Sequence, residues 1–122
     1  MAAETPAAFD ARFDRNRPVT LRGRVIRMEW VNPHSRIHID VIDSKTGGHS
    51  QWIVEGGPTA ALLRKGWTRK SLTPGTEIIA RGIRSRDGSH HVSCADISFP
   101  NGQVMSLGNP LAEAVLERGA AR

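Results

Sequence analysis

The run from Ser35 to Ile42 constrains the fold most, because its apolar and polar residues alternate with a period of two. Such alternation places the two sets of side chains on opposite faces of an extended chain, so it predicts a strand with one buried face. The apolar set is Ile37, Ile39 and Val41, and the polar set is Arg36, His38 and Asp40. A strand of this kind needs partner strands and a core on its apolar side.

Similar runs elsewhere predict the partner strands, and turn residues separate them. Pro18 opens a strand whose alternation changes parity near Gly23, which predicts a β-bulge there. A Gly-Gly-Pro segment at 56–58 precedes a short helix, and an Asn-Pro pair at 109–110 precedes a second one. The predicted elements are strands at 17–30, 35–42 and 50–55, a helix at 58–65, strands at 77–84, 90–99 and 103–107, and a helix at 111–118.

This order of elements is typical of the OB barrel, in which a helix separates the third and fourth strands. The sequence therefore predicts a mainly β domain: a small five- to six-stranded antiparallel OB-like barrel with a short helix between strands 3 and 4 and a C-terminal helix. An open β-roll or an SH3-like barrel is the alternative. We assign residues 1–16 to a flexible N-terminal segment, 17–108 to the barrel and 109–122 to the C-terminal helix and tail.

Basic residues outnumber acidic ones by 17 to 12, which gives a net charge of +5. This balance favours an anionic partner, such as nucleic acid, an acidic membrane surface or an anionic small molecule, and it also serves solubility. Several arginines fall where an OB nucleic-acid face would need them, but aromatic residues for base stacking are few. The arginines are Arg22, Arg24, Arg27, Arg36, Arg81, Arg84 and Arg86.

Cys94 is the single cysteine, which excludes an internal disulfide and any CxxC motif. We interpret it as a small buried apolar residue. No apolar run reaches the roughly 18–20 residues of a membrane-spanning helix. Residues 1–5 carry no apolar leader, which predicts either a cytoplasmic protein or one whose signal peptide has been removed.

Three segments carry a resemblance to a known family: Glu29-Trp30-Val31-Asn32-Pro33-His34, Glu55-Gly56-Gly57 and Gly66-Trp67. Together with weaker matches over roughly residues 9–107, they resemble a domain-of-unknown-function family of small secreted, periplasmic proteobacterial proteins with an OB-like fold. The resemblance implies an exported domain and no established activity. Members often begin with a His-His-Ser-Phe segment. The matching residues 6–9 lack histidine, so no N-terminal copper site is carried over.

The loop after the first strand holds Trp30, Asn32 and His34. In an OB barrel this loop borders the binding face, so these side chains could line a small polar pocket. The alternative is structural: Trp30 closes the barrel end, while Asn32 and His34 bond to the backbone of the turn. The candidate ligand-binding residues are Trp30, Asn32, His34, Arg36, His38, Trp52 and Glu55.

His38 and Glu55 are the candidate catalytic residues. If Trp52 and Val54 face the core, the hairpin register sets His38 opposite Glu55 on the outer face. Such a pair is an acid/base couple, part of a metal site or a plain cross-strand ion pair. In a straight strand His34 and His38 lie about 13 Å apart at ~3.3 Å per residue, too far to share one metal ion. No metal is therefore predicted, and His34 and His38 are the residues that would ligate one.

His90 and His91 follow Asp87 in the loop between strands 4 and 5. Adjacent side chains point to opposite faces of a strand, so at most one of the two histidines joins a site with His34, and the alternative is a solvated loop. The sequence has no phosphate-binding loop, zinc-protease motif or nucleophile elbow. No cofactor is predicted.

These observations support one functional hypothesis and two alternatives. The hypothesis is a small exported OB-like binding or accessory module for an unidentified small or anionic ligand. The alternatives are a single-stranded nucleic-acid-binding OB domain and a small acid/base enzyme that uses a His/Glu pair in the barrel-face pocket. The edge of the short strand at 103–107 would allow a homodimer.

Overall fold

The computed structural model describes residues 4–120, which contain three helices and six strands. The predicted chain ends at residues 1–3 and 121–122 lie outside the described residues. In chain order the elements are α1 (Pro6–Arg12), β1 (Phe13–Glu29), β2 (Arg36–Ile42), β3 (His49–Glu55), α2 (Thr59–Arg64), β4 (Glu77–Ser85), β5 (His91–Ser98), β6 (Val104–Ser106) and α3 (Pro110–Ala120).

The strands form one sheet in the order β3-β2-β1-β4-β5-β6, with antiparallel neighbours. β3 also pairs with β5, in parallel, over Ile53–Glu55. Because this pairing joins the two ends of the series β3-β2-β1-β4-β5, these five strands follow one another in a ring. The predicted class is confirmed: a mainly β, antiparallel fold with a short helix between strands 3 and 4 and a C-terminal helix.

β1 is the longest strand, with 17 residues, and pairs with both β2 and β4. Its register against β2 shifts between Val25 and Arg27, so the bulge lies at Ile26 and not near Gly23 as predicted. Gly23 instead permits close approach of β2, because a Cβ atom there would collide with the carbonyl oxygen of Asp40. The extra residue at the bulge explains the change of parity in the apolar pattern.

The main core draws its side chains from all five strands of the ring and from the segment around α2. Trp67 is fully buried, and its indole Nε1 donates a hydrogen bond to the carbonyl of Ser106 over 2.7 Å. Cys94 is also fully buried, which confirms its interpretation as a small apolar residue. The buried members are Leu21, Val25, Ile37, Ile39, Trp52, Val54, Leu62, Trp67, Leu72, Ile78, Ala80, Val92, Cys94, Ile97 and Leu107.

A second, smaller core joins α1 and α3 to the start of β1 and to β4 and β5. It buries Phe9, Phe13, Ile83, Ala95 and Ala112, and the two phenyl rings lie 5.4 Å apart. Burial of one such ring contributes about 1.5–3 kcal/mol, enough to fix a short terminal helix. Residues 1–16 were predicted to be a flexible segment. Instead, α1 begins at Pro6 and packs against the sheet, and β1 begins at Phe13 rather than at the predicted residue 17.

Candidate functional site

Glu55 is the last residue of β3 and is only 1% exposed, although it carries a carboxylate. Its Oε1 accepts hydrogen bonds from Arg12 Nη2 at 2.6 Å and from His91 Nε2 at 3.1 Å. Its Oε2 lies 3.7 Å from His34 Nδ1. A buried charge is costly unless it is paired, and these side chains supply positive or hydrogen-bonding partners to the carboxylate.

Four separate segments bring these side chains together. Glu55 and His91 meet because β3 and β5 pair in parallel at this point. Arg12 ends α1, and His34 lies in the loop between β1 and β2. Arg12 Nη1 also donates to Glu4 Oε2 at 2.9 Å, which ties the segment before α1 to the same group. We call Glu4, Arg12, His34, Glu55 and His91 the Glu55 cluster.

The Gly-Gly pair after Glu55 lets another loop pack against the end of β3. The Gly57 N–H donates to the carbonyl of Leu107 at 2.9 Å. A Cβ atom on Gly57 would collide with the carbonyl of Gly108, so only glycine allows this approach. The Glu-Gly-Gly segment therefore places the buried carboxylate beneath the loop that leads into α3.

The cluster favours the ionised form of Glu55. Burial raises the pKa of Glu55. The hydrogen bonds from His91 and Arg12, together with the charges of Arg12 and His34, lower the pKa by more than burial raises it, so the pKa lies below its ordinary value. Burial lowers the pKa of Arg12, yet its contacts with Glu55 and Glu4 leave that pKa above its ordinary value. The Arg12–Glu55 pair is therefore charged in the folded protein.

A pocket of about 650 Å³ lies beside the cluster. Glu4 and His34 form part of its lining. Its apolar wall comes from Pro33, Pro58, Ala61, Pro110 and Leu111, and the exposed Arg64 and Lys65 border it. A concave, mostly apolar surface with a few polar groups is the usual form of a small-molecule site.

His34 connects the pocket to Glu55. Its Nδ1 is buried and faces the carboxylate, while its side chain as a whole is 20% exposed. An ionised carboxylate favours the tautomer with a proton on Nδ1, which leaves the lone pair on Nε2 at the opposite edge of the ring. In chemical terms, the pair can hold His34 as a hydrogen-bond acceptor or as a proton acceptor beside the pocket.

The predicted pair of His38 and Glu55 is wrong. The β2–β3 register sets Arg36 opposite Glu55 and His38 opposite Ile53. His38 Nε2 instead hydrogen-bonds Glu29 Oε1 on β1. Trp52 and Val54 do face the core as assumed, but Glu55 turns inward at the strand end, where β5 has begun to pair with β3.

Of the candidate ligand-binding residues in the loop after β1, two have structural roles and one lines the pocket. Asn32 Oδ1 accepts hydrogen bonds from the N–H of Thr59, at 2.9 Å, and from its hydroxyl, so it holds the start of α2. Trp30 is half-buried and packs against the main core. These two follow the structural alternative, whereas His34 lines the pocket. Arg36 is exposed.

His91 joins His34 at Glu55 and His90 does not, which agrees with the prediction that at most one of the two histidines shares a site with His34. His90 stacks on Trp52, with ring centroids 4.4 Å apart and planes 9° apart. The guanidinium of Arg84 lies 5.0 Å from the centre of the Trp52 ring. The predicted ligand-binding Trp52 is therefore covered by the protein's own side chains and is only 8% exposed.

Several of the basic side chains are bound within the protein. Arg81 Nε donates to Asp96 at 3.0 Å, Arg24 to the carbonyl of Gly75 at 3.3 Å, and Arg86 Nε to the carbonyl of Asp10 at 2.7 Å. Asp87 accepts hydrogen bonds from Ser89 N–H and Ser85 Oγ, which lower its pKa to about 2. These groups stabilise turns and strand pairs.

Within residues 4–120, no three His, Cys, Asp or Glu side chains are placed to hold a metal ion. No helix in that range is both long and apolar enough to cross a membrane. Burial raises the pKa of the Cys94 thiol well above its ordinary value.

Sequence reasoning missed Glu4, Arg12 and His91 as partners of Glu55. Glu4 and Arg12 lie in the segment assigned outside the barrel, and no spacing rule links residues 43 positions apart, as Arg12 and Glu55 are. One feature of the sequence indicates that this segment packs against the fold: Arg12 lies between two large apolar residues, Phe9 and Phe13.

Fold and site together define a class: a small β domain with a buried carboxylate–histidine–arginine cluster beside a pocket. The chain belongs to the family of unknown function DUF6152, whose profile matches residues 2–94, so the predicted membership of a family of unknown function is confirmed. The matched range contains all five residues of the Glu55 cluster. No curated protein and no solved structure matches the chain.

Proposed function

We propose that the protein is a binding module for a small molecule that occupies the pocket beside the Glu55 cluster. One observation carries the proposal: His34 lines the pocket while its Nδ1 faces a buried carboxylate that Arg12 and His91 hold in place. A buried ion pair of this kind is weak evidence for stability alone, because apolar residues would stabilise the fold as well. A recognition role gives the cluster a reason to exist.

The pocket itself supports the proposal. Its volume of about 650 Å³ falls within the range of ~300–1,000 Å³ typical of ligand pockets. Its wall of prolines, Ala61 and Leu111 needs little ordering on binding, because proline and alanine side chains have almost no rotamer freedom to lose. Binding would then cost little conformational entropy.

The proposed setting is the periplasm. Its support is the resemblance of the Glu-Trp-x-Asn-Pro-His and Glu-Gly-Gly segments to exported proteins. Fractionation of the host cells with an antibody to the protein tests it: a periplasmic fraction is the expected result, and a cytosolic fraction would contradict it.

The binding proposal is tested by filling the pocket. Ala61 lines the pocket, whereas its neighbour Ala60 is exposed outside the lining, so Ala61→Phe and Ala60→Phe form a matched pair. We expect benzyl alcohol, a neutral probe, to shift the backbone amide resonances of Gly57 and Gly108 in the wild type and in Ala60→Phe. Ala61→Phe should abolish the shifts. Equal shifts in both variants, or none in the wild type, would contradict the proposal.

A small acid/base enzyme is a second candidate, favoured by the His34–Glu55 geometry rather than by the predicted His38. If His34 is a general base, hydrolysis of p-nitrophenyl acetate should fall by at least about tenfold in His34→Gln. His38→Gln is the control, because His38 pairs with Glu29. Equal rates in the two variants would dispose of this candidate.

Single-stranded nucleic acid has less support from the geometry. His90 and Arg84 already contact Trp52, and Arg81, Arg24 and Arg86 bind groups of the protein. A nucleic-acid surface would require these side chains to release their partners.

A further inference from the structure

The hydrogen-bond donors around the pocket are largely used within the protein. Gly57 N–H donates to the carbonyl of Leu107, and Gly108 N–H donates to Ser106 Oγ at 3.2 Å. At the start of α3, the N–H of Leu111 donates to Asn109 Oδ1 at 3.1 Å. Asn109 Nδ2 donates to Ser93 Oγ at 2.7 Å. The backbone around the pocket therefore offers few donors for an anionic ligand.

Acceptors, in contrast, remain without donors. Among the described residues, Glu4 Oε1 and Glu55 Oε2 are buried and have no hydrogen-bond partner. Glu4 lines the pocket, and Glu55 lies directly behind His34. Buried polar groups are almost always satisfied. His34 Nδ1, which also has no partner, faces Glu55 Oε2 at 3.7 Å and is placed to donate to that oxygen. Glu4 Oε1 is therefore the acceptor that indicates a donor supplied from elsewhere.

The net charge of the Glu55 cluster also favours a cationic ligand. Two carboxylates, Glu4 and Glu55, face one guanidinium, Arg12, so the cluster is negative by one charge when its imidazoles are neutral. These carboxylates are 11% and 1% exposed, so water screens them little. Arg64 and Lys65 are exposed at the border of the pocket, where solvent screens their charge.

We infer that the ligand of this pocket is a small organic ammonium ion, with its protonated amine beside Glu4 and His34 and its apolar body against Pro33, Pro58 and Leu111. The inference rests on the proposed binding function and deepens it. It runs against the overall net charge of +5, because the local charge at the buried end of the pocket has the opposite sign. The amine supplies a hydrogen to Glu4 Oε1, which lacks a donor.

Three probes of matched shape test the inference: benzylammonium, benzyl alcohol and benzoate. Binding is measured by titration of the wild type while the amide resonances of Gly57 and Gly108 are followed. We expect benzylammonium to bind about tenfold more tightly than benzyl alcohol, and benzoate to bind most weakly. Glu4→Gln should remove the preference for the cation.

Glu77→Gln is the matched control, because Glu77 is an exposed carboxylate on β4 outside the pocket lining. It should keep the preference for benzylammonium. Equal affinities for the three probes, or tighter binding of benzoate, would overturn the ammonium inference and leave the binding module intact. If no probe moves the resonances, the binding proposal fails with it.

Discussion

Arg12 donates a hydrogen bond of 2.6 Å to Glu55 and thereby ties the end of α1 to the end of β3. The same guanidinium holds Glu4, so one side chain connects the N-terminal segment, the sheet and the wall of the pocket. The N-terminal helix is thus part of the candidate site.

Loss of this tie should destabilise the fold. Arg12→Met keeps an apolar stem but leaves the buried carboxylate without its main cationic partner. Breaking a fully buried pair costs ~3–5 kcal/mol, and because Arg12 is 37% exposed we expect about 2 kcal/mol in the free energy of unfolding. Urea denaturation measures it.

Arg15→Met is the matched control. Arg15 is 35% exposed, close to the value for Arg12, but its partner Asp10 is 44% exposed. The control should cost less than about 1 kcal/mol. Equal losses in the two variants would show that Glu55 does not depend on Arg12.

The stability of the protein should fall in acid through Glu55. The pKa of Glu55 in the folded chain lies below its ordinary value of 4.5, so its contribution is present above pH 4.5 and is lost as the pH falls through the folded pKa. The difference in unfolding free energy between wild type and Glu55→Gln should therefore shrink below pH 4.5, as denaturation at a series of pH values will measure. An unchanged difference at pH 7 and at about pH 3 would contradict the assignment.

The close approach beneath the pocket makes Gly57 irreplaceable. Gly57→Ala places a methyl group against the carbonyl of Gly108, and overpacking of this kind costs about 1–3 kcal/mol. Thermal unfolding measures the loss. Gly48→Ala is the control, because a Cβ atom there meets only the Thr46 hydroxyl. A loss no larger than that of the control would refute the close packing of β3 against the loop before α3.

Much of the sheet could be predicted from the sequence, because alternation reports directly on which side of a strand is buried. Ile37 and Ile39 were assigned to the core and are buried there. The helix between strands 3 and 4 followed from the Gly-Gly-Pro segment. The bulge was misplaced by three residues, since the pattern shows that parity changes but not which residue is extra.

The candidate site could not be predicted to the same degree. His34 and Glu55 were named, but their partners depend on ring closure between β3 and β5 and on the packing of α1, which are long-range contacts. Local pairing rules placed His38 beside Glu55 on the outer face, whereas closure of the ring turns the end of β3 inward toward His91. The predicted homodimer edge at residues 103–107 stays a prediction.

Native mass spectrometry of the protein purified from its own host cells would reveal a small molecule that stays bound in the pocket. We expect the wild type and Ala60→Phe to carry the added mass of one small molecule, and Ala61→Phe, which fills the pocket, to carry none. A bare wild type, or an equal added mass in Ala61→Phe, would contradict a ligand in the pocket beside Glu55.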